Sequence, residues 1–179
     1  MTSIKAYSWR YSQADFKFCP RCGGPLVLQD VADSGPRQLV CHTCQFIFYL
    51  PPQLVVMAVV TYEERVLLLK RAQPPGQGQW ALLAGFVGRH EDPVKALQRE
   101  AREETGLEIT VGDVLKVNAF PEAGMVQLIF AATTCNTHLF LNDECLDADF
   151  FTADSIPWEN LAFASTRQTL IEFLGVDAP

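Results

Sequence analysis

Glu100, Glu103 and Glu104 are three and four positions apart in the run Arg99-Glu100-Ala101-Arg102-Glu103-Glu104. An α-helix turns about 100° per residue, so all three carboxylates project from one narrow side. Like charges packed this closely repel and destabilise a helix. A divalent cation removes the conflict, because hard oxygen ligands suit Mg²⁺ or Mn²⁺ and phosphate oxygens can complete the shell. The plain alternative is a solvated acidic face. Against it stand Gly85, Glu91 and Arg99, which accompany the glutamates at defined offsets.

The element that must carry these carboxylates is well signalled. Asp92 suits an N-cap and Pro93 a first helical position. Gly106 can take the left-handed conformation that ends a helix. Val94, Leu97 and Ala101 form a second face, suited to packing on a sheet. One side of the predicted helix is core and the adjoining side is acidic.

A second set of residues has metal-ligand spacing. Cys19 and Cys22 form one CxxC pair, and Cys41 and Cys44 form another after an 18-residue spacer. Four thiolates satisfy tetrahedral Zn²⁺ and leave no open position, as expected of a structural site. A redox-active pair is the competing reading. His42 is a spectator, since four cysteines complete the shell. Pro25–Gln29 and Gln38–Val40 read as short strands around a turn at Asp33-Ser34-Gly35-Pro36. This is a zinc ribbon over residues 16–50, too small to fold on its own core, so metal should supply its stability. Met1 to Asp15 reads as a loosely held N-terminal segment.

Pro51-Pro52 marks a boundary. Leu54–Thr61 is nearly continuous apolar sequence, as for a strand covered on both faces. Arg65–Arg71 and Trp80–Leu83 read as further strands, separated by a Pro/Gly loop at Gln73–Gln79. Trp80 reads as core. Glu108–Leu115 reads as a strand, Val117–Gly124 as a loop, Met125–Thr133 as a strand and His138–Leu146 as a polar loop. Asp147–Thr152 is a short strand. A last helix runs to Gly175, capped by Ser165 or Thr166, with Leu170, Ile171 and Leu174 inward. Strands with two helices and no βαβ repeat predict an α+β domain.

Of the 179 residues, 49% are hydrophobic, enough for a core. No run reaches the roughly 20 apolar residues that span a membrane, and the N-terminus lacks a signal-peptide pattern, so a cytoplasmic protein is expected. The charge is +2 over residues 1–50 and −9 over the rest. An acidic main domain argues against a nucleic-acid backbone as partner and fits one that recruits cations.

The spacing of Gly85, Glu91, Arg99, Glu100, Ala101, Glu103, Glu104, Gly106 and Leu107 resembles the Nudix hydrolase signature over 23 residues. The resemblance covers residues 52–175 and implies a mixed β-sheet sandwiched between helices, preceded here by the small ribbon. The domains expected are 1–15, 16–50 and 52–179. A ribbon ahead of such a domain resembles the subgroup with NADH pyrophosphatases and shorter enzymes associated with ADP-ribose and FAD. Asn118-Ala119-Phe120-Pro121-Glu122 departs from the SQPW-type element of the NADH enzymes. Ile156–Phe163 looks like the shorter set. Leu82-Leu83-Ala84-Gly85 stands where relatives often have LPGG, and Gly88 and His90 alter the loop that follows.

The resemblance implies a metal-dependent pyrophosphohydrolase, with water attacking phosphorus in a nucleoside diphosphate derivative of ADP-ribose, FAD or NADH type. Glu100 and Glu104 are the expected Mg²⁺ or Mn²⁺ ligands, with Glu103 close by and the Ala84 carbonyl added. Glu91 would orient the helix or Arg99, and Arg99 would hold carboxylates in place. The general base is left open between Glu103, Glu144 and Glu122. Phe86 and Phe120 are candidates to stack on a base or flavin ring, or plain packing. The family often forms homodimers. The competing class is a Nudix-like module without turnover that senses a ligand or binds nucleic acid or protein. The presence of every signature carboxylate argues against it.

Overall fold

The computed structural model describes residues 12–32 and 35–177. Asp33 and Ser34 of the expected ribbon turn, and residues 1–11 of the expected N-terminal segment, lie outside these. The described residues fall into two compact units. One comprises Met1–Pro52 with Phe120–Met125, the other Gln53–Ala119 with Val126–Pro179. No helix among them is long and apolar enough to cross a membrane.

In the first unit, β1 (Leu26–Gln29), β2 (Gln38–Cys41) and β3 (Ile47–Phe48) form an antiparallel sheet in that order. The third strand was not expected, since two residues carry no readable alternation. Its Phe48 packs on Phe16 with ring centroids 5.0 Å apart, over buried Leu26 and Leu39. The end of the segment expected to be loose is tied down: Gln13 Nε2 donates to the Arg37 carbonyl at 3.0 Å.

The second unit is built on a sheet with the order β10-β5-β4-β9-β8, where β6 adds to β5 and β7 to β4. Its strands are β4 (Gln53–Tyr62), β5 (Arg65–Arg71), β6 (Trp80–Ala81), β7 (Leu83–Phe86), β8 (Ile109–Phe120), β9 (Met125–Thr134) and β10 (Cys145–Phe151). Successive side chains on a strand point to opposite faces. Val56, Ala58 and Val60 of β4 therefore join Leu67 and Leu69 under α1 (Pro93–Thr105), against Ala96, Leu97 and Ala101. Met57 and Val59 face the other way with Leu68 and Ile129, against Leu170 of α2 (Ala164–Leu174). Both faces being covered explains why β4 reads as unbroken apolar sequence.

Several local expectations change. Val94 is exposed, and Ala96 takes its place in the core face. Val117–Phe120 is strand, not loop: β8 continues beside β9, and only Pro121–Ala123 forms a 3₁₀ turn, closed by Gly124 at φ +58°. Cys145 and Leu146 belong to β10, paired with β5, although their neighbours are polar. Helix α2 begins earlier than expected. Phe163 is its N-cap without a side-chain cap bond, and Thr166 is buried inside the first turn.

Candidate active site and metal centres

Local sequence sets α1 firmly. The Asp92 carboxylate accepts from the Val94 and Lys95 N–H groups at 2.9 and 3.2 Å, and Pro93 follows as the first helical residue. At the other end Gly106 takes φ +71° and donates its N–H to the Arg102 carbonyl. The Glu100 side chain lies directly over Gly85, so a larger residue there would have to displace it. A Cβ there would sit 2.0 Å from Glu100 Cδ.

Arg99 is the hub of the acidic side. Its Nε and Nη2 donate to the two Glu91 oxygens at 2.8 and 3.0 Å, a bidentate pair. Nη1 donates to Glu100 at 2.8 Å and Glu103 at 2.9 Å, and Nη2 also reaches the Phe86 carbonyl at 3.1 Å. Glu91 further accepts from the Gly88 N–H at 2.8 Å. The Arg99 bonds, then that N–H, pull the Glu91 carboxyl down to about 2. Charge-assisted bonds that favour the ionised form have this effect. His90 completes the loop in the left-handed region at φ +67° and is exposed.

Glu104 points elsewhere. It is half-buried and accepts no hydrogen bond among the described residues. Burial, then the charges of Glu100 and Glu144, push its carboxyl up to about 8, with Arg71 opposing. Glu100 is raised too, chiefly by burial. Glu144 enters from the start of β10. Its N–H donates to Asn142 Oδ1 at 2.9 Å, and its carbonyl accepts from the Ala72 N–H at 2.9 Å. Cys145 beside it is pushed up to about 12 by burial, then by Glu104 and Glu144.

The structure thus joins Glu91, Arg99, Glu100 and Glu103 directly, with Glu104 and Glu144 as electrostatic neighbours. Ala84 lies in β7 opposite Met57. Phe86 is exposed at the end of the same strand. Phe120, half-buried at the end of β8, and exposed Glu122 fall in the other compact unit. Sequence reading passed over Arg71 and Cys145. The one signal for Arg71 was a basic residue closing an apolar strand ahead of a Pro/Gly loop.

The ribbon cysteines form a tighter cluster. Cys19, Cys22, Cys41 and Cys44 place their sulfurs within 4.8 Å of one another, the one such group among the described residues. Arg21 and Cys44 N–H groups donate to Cys19 and Cys41 Sγ at 3.4 Å. Gly24 is obligatory in the first turn, since a Cβ would meet Thr43 Oγ1 at 2.3 Å. The thiols share protons: the Cys44 N–H first draws Cys41 down to about 6, while bonds to the neighbouring sulfurs help push Cys22 up to about 12. Their chemistry fits a structural zinc site.

An acidic helix braced by an internal arginine faces a glycine-bearing strand, and a four-cysteine ribbon precedes both in the chain. The chain belongs to the Nudix family: the NUDIX domain matches residues 51–173, and the zinc-ribbon family described as Nudix N-terminal matches residues 17–50. It is 31% identical over 123 residues to an ADP-ribose pyrophosphatase of Methanocaldococcus jannaschii, covering 66% of this chain and 72% of that one. It is 26% identical over 172 residues to the NAD-capped RNA hydrolase NudC of Vibrio vulnificus, covering 93% of this chain and 64% of that one. Against the NudC relatives of Stutzerimonas stutzeri and Pseudomonas aeruginosa, it spans about half their length. A NUDIX hydrolase structure from Nitrosomonas europaea superposes with a TM-score of 0.84 at 30% identity, covering 89% of this chain and 91% of that one.

Proposed function

We propose that the chain is a divalent-cation-dependent pyrophosphohydrolase of nucleoside diphosphate derivatives, with ADP-ribose, FAD and NADH as the candidate substrates. The observation that carries this reading is the state of Glu104: a half-buried carboxyl without a hydrogen-bond donor, driven up by burial and by Glu100 and Glu144. Oxygen donors crowded in this way fit a hard cation such as Mg²⁺ or Mn²⁺. The names of the relatives, ADP-ribose pyrophosphatase and NAD-capped RNA hydrolase, support a diphosphate linkage as the bond cleaved.

Glu100 and Glu104 would hold the cation, with Glu103 and the Ala84 carbonyl alongside. When bound, the cation supplies charge stabilisation for the oxygens that become negative as the linkage breaks. Arg99 and Glu91 fix the helix against β7, so that Glu100 stays over Gly85. Glu103 or Glu144 would act as the general base that takes a proton from the attacking water. Phe86, exposed beside this helix, would stack on the nucleoside base or flavin. The four ribbon cysteines would hold zinc structurally.

An assay with Mg²⁺ or Mn²⁺ over ADP-ribose, NADH, FAD, NAD-capped RNA, diadenosine polyphosphates and nucleoside triphosphates, with products identified, tests the reading. Release of a nucleoside monophosphate from one of the diphosphates is expected. No turnover of any of them, with tight binding retained, would instead make the domain a ligand sensor.

A further inference from the structure

Arg71 closes β5 and is held on every side. Its backbone N–H donates to the Gln79 carbonyl at 2.9 Å, and its own carbonyl accepts from Gly78 at 2.8 Å. Its side chain is fixed too. Nε donates to the Pro75 carbonyl at 2.7 Å, and the guanidinium carbon lies 5.2 Å from the Phe163 ring centroid. Gly76 packs alongside, where an added Cβ would come within 3.5 Å of Arg71 Cδ. Yet neither Nη has a hydrogen-bond partner among the described residues, and Arg71 forms no ion pair there. An arginine with its stem, Nε and one ring face engaged has already lost most of its rotamer freedom. Its free edge is a rigid two-pronged donor.

The position of that edge is informative. Arg71 is the strand partner of Cys145, and the next residue, Ala72, bonds the Glu144 carbonyl. Arg71 acts electrostatically on Glu104 and Cys145 without closing onto a carboxylate. Arg99, by contrast, is consumed by three glutamates and the Phe86 carbonyl. A bound divalent cation offsets part of the repulsion a diphosphate meets at an acidic wall, and a cation of the protein left over for it offsets more. Arg71 is such a cation, and guanidinium forks match phosphate oxygens bidentately.

We propose that Arg71, braced by Phe163 and the Pro75 carbonyl, is a substrate-binding residue whose free Nη groups take the diphosphate of the substrate. This rests on the hydrolase reading above and adds a phosphate-binding group to it. Pro75, Gly76 and Phe163 are then positioning residues that aim the fork.

The test exploits two effects of opposite sign. Arg71→Gln removes a positive charge beside Glu104, so the divalent-cation concentration that half-activates the enzyme should fall or stay the same. The same variant can no longer grip phosphate with a charged fork. Its KM for the diphosphate substrate should rise about tenfold to a hundredfold, the range of a charge-assisted bond. Arg71→Lys keeps the charge without the fork and should recover only part of that loss. Calorimetry with α,β-methylene-ADP in metal-free buffer supplies a readout that does not depend on turnover. Its Kd should weaken by a similar factor in Arg71→Gln. Phe163→Leu should weaken it less, with the fold retained by circular dichroism. Unchanged KM and Kd in a folded Arg71→Gln would overturn the proposal. So would full recovery by lysine, which would reduce Arg71 to a charge that offsets Glu104. If the wild-type chain turns over no diphosphate, the functional reading fails first; if it does and Arg71→Gln behaves identically, only the role of Arg71 fails.

Discussion

The ribbon cysteines and the α1 carboxylates are both clusters of anionic ligands, yet they are built in opposite ways. Four sulfurs converge within 4.8 Å, drawn together by two tight turns with N–H groups aimed at them. The glutamates do not converge to that degree. Glu91, Glu100 and Glu103 are tied back by Arg99, while Glu104 is left without a donor beside Glu100 and Glu144. A closed set of soft ligands holds its metal as part of the fold. An open set of hard ligands, braced from behind, would leave room for a cation and for the phosphate of the proposed substrate. The difference also divides the labour: the ribbon has a small core of Leu26, Leu39 and two buried cysteines, whereas the carboxylate helix rides on a sheet buried on both faces.

This contrast can be broken at several points. The largest effect is expected in the ribbon. Cys41→Ser, or zinc removal by a strong chelator, should unfold residues 16–50, because structural zinc contributes on the order of 10 kcal/mol in such small folds. Loss of one bound zinc per chain and collapse of the ribbon amide resonances would be observed. A ribbon that stays ordered without metal would contradict the assignment. Next comes Glu104→Gln. Turnover should fall about a thousandfold, from several kcal/mol of lost charge stabilisation. The metal-free protein should melt no lower than wild type, since a crowded carboxylate is gone. A lower Tm with activity intact would reverse the reading.

Arg99→Met tests the brace. It leaves three carboxylates facing one another and should cost about 1–3 kcal/mol of stability. That is less than for a fully buried pair, because the Arg99 side chain is 35% exposed. Urea titration reads the loss, and added Mg²⁺ should restore part of it. The smallest effect is on acid stability. The folded-state Glu91 carboxyl lies at about 2, below its ordinary 4.5. Its contribution is therefore fully present above pH 4.5 and is lost as the pH falls toward 2. The Tm difference between wild type and Glu91→Gln should shrink across that window, and a constant difference would remove Glu91 from the brace.

Much of this was legible because it is local. The cap at Asp92-Pro93, the stop at Gly106 and the pairing of cysteines in turns depend on neighbours within a few residues. The offset from Gly85 to Glu100 was legible as a pattern. Its cause, the Glu100 side chain lying where a Gly85 Cβ would project, appears only in three dimensions. Errors arose where pairing overrode composition. Val117–Phe120 is strand because β9 lies beside it, and Cys145 is strand because β5 does.

The sequence by itself determined the family, the four-cysteine cluster and the helix that carries the glutamates, since these follow from residue type and short-range periodicity. Tertiary structure alone decided which carboxylate is braced and which is left bare. It also brought Arg71 and Glu144, 73 positions apart in the chain, to the same end of the sheet as Glu104. Strand order and register set those relations, and the free energy that fixes them is spread over long-range packing that no short stretch of sequence contains.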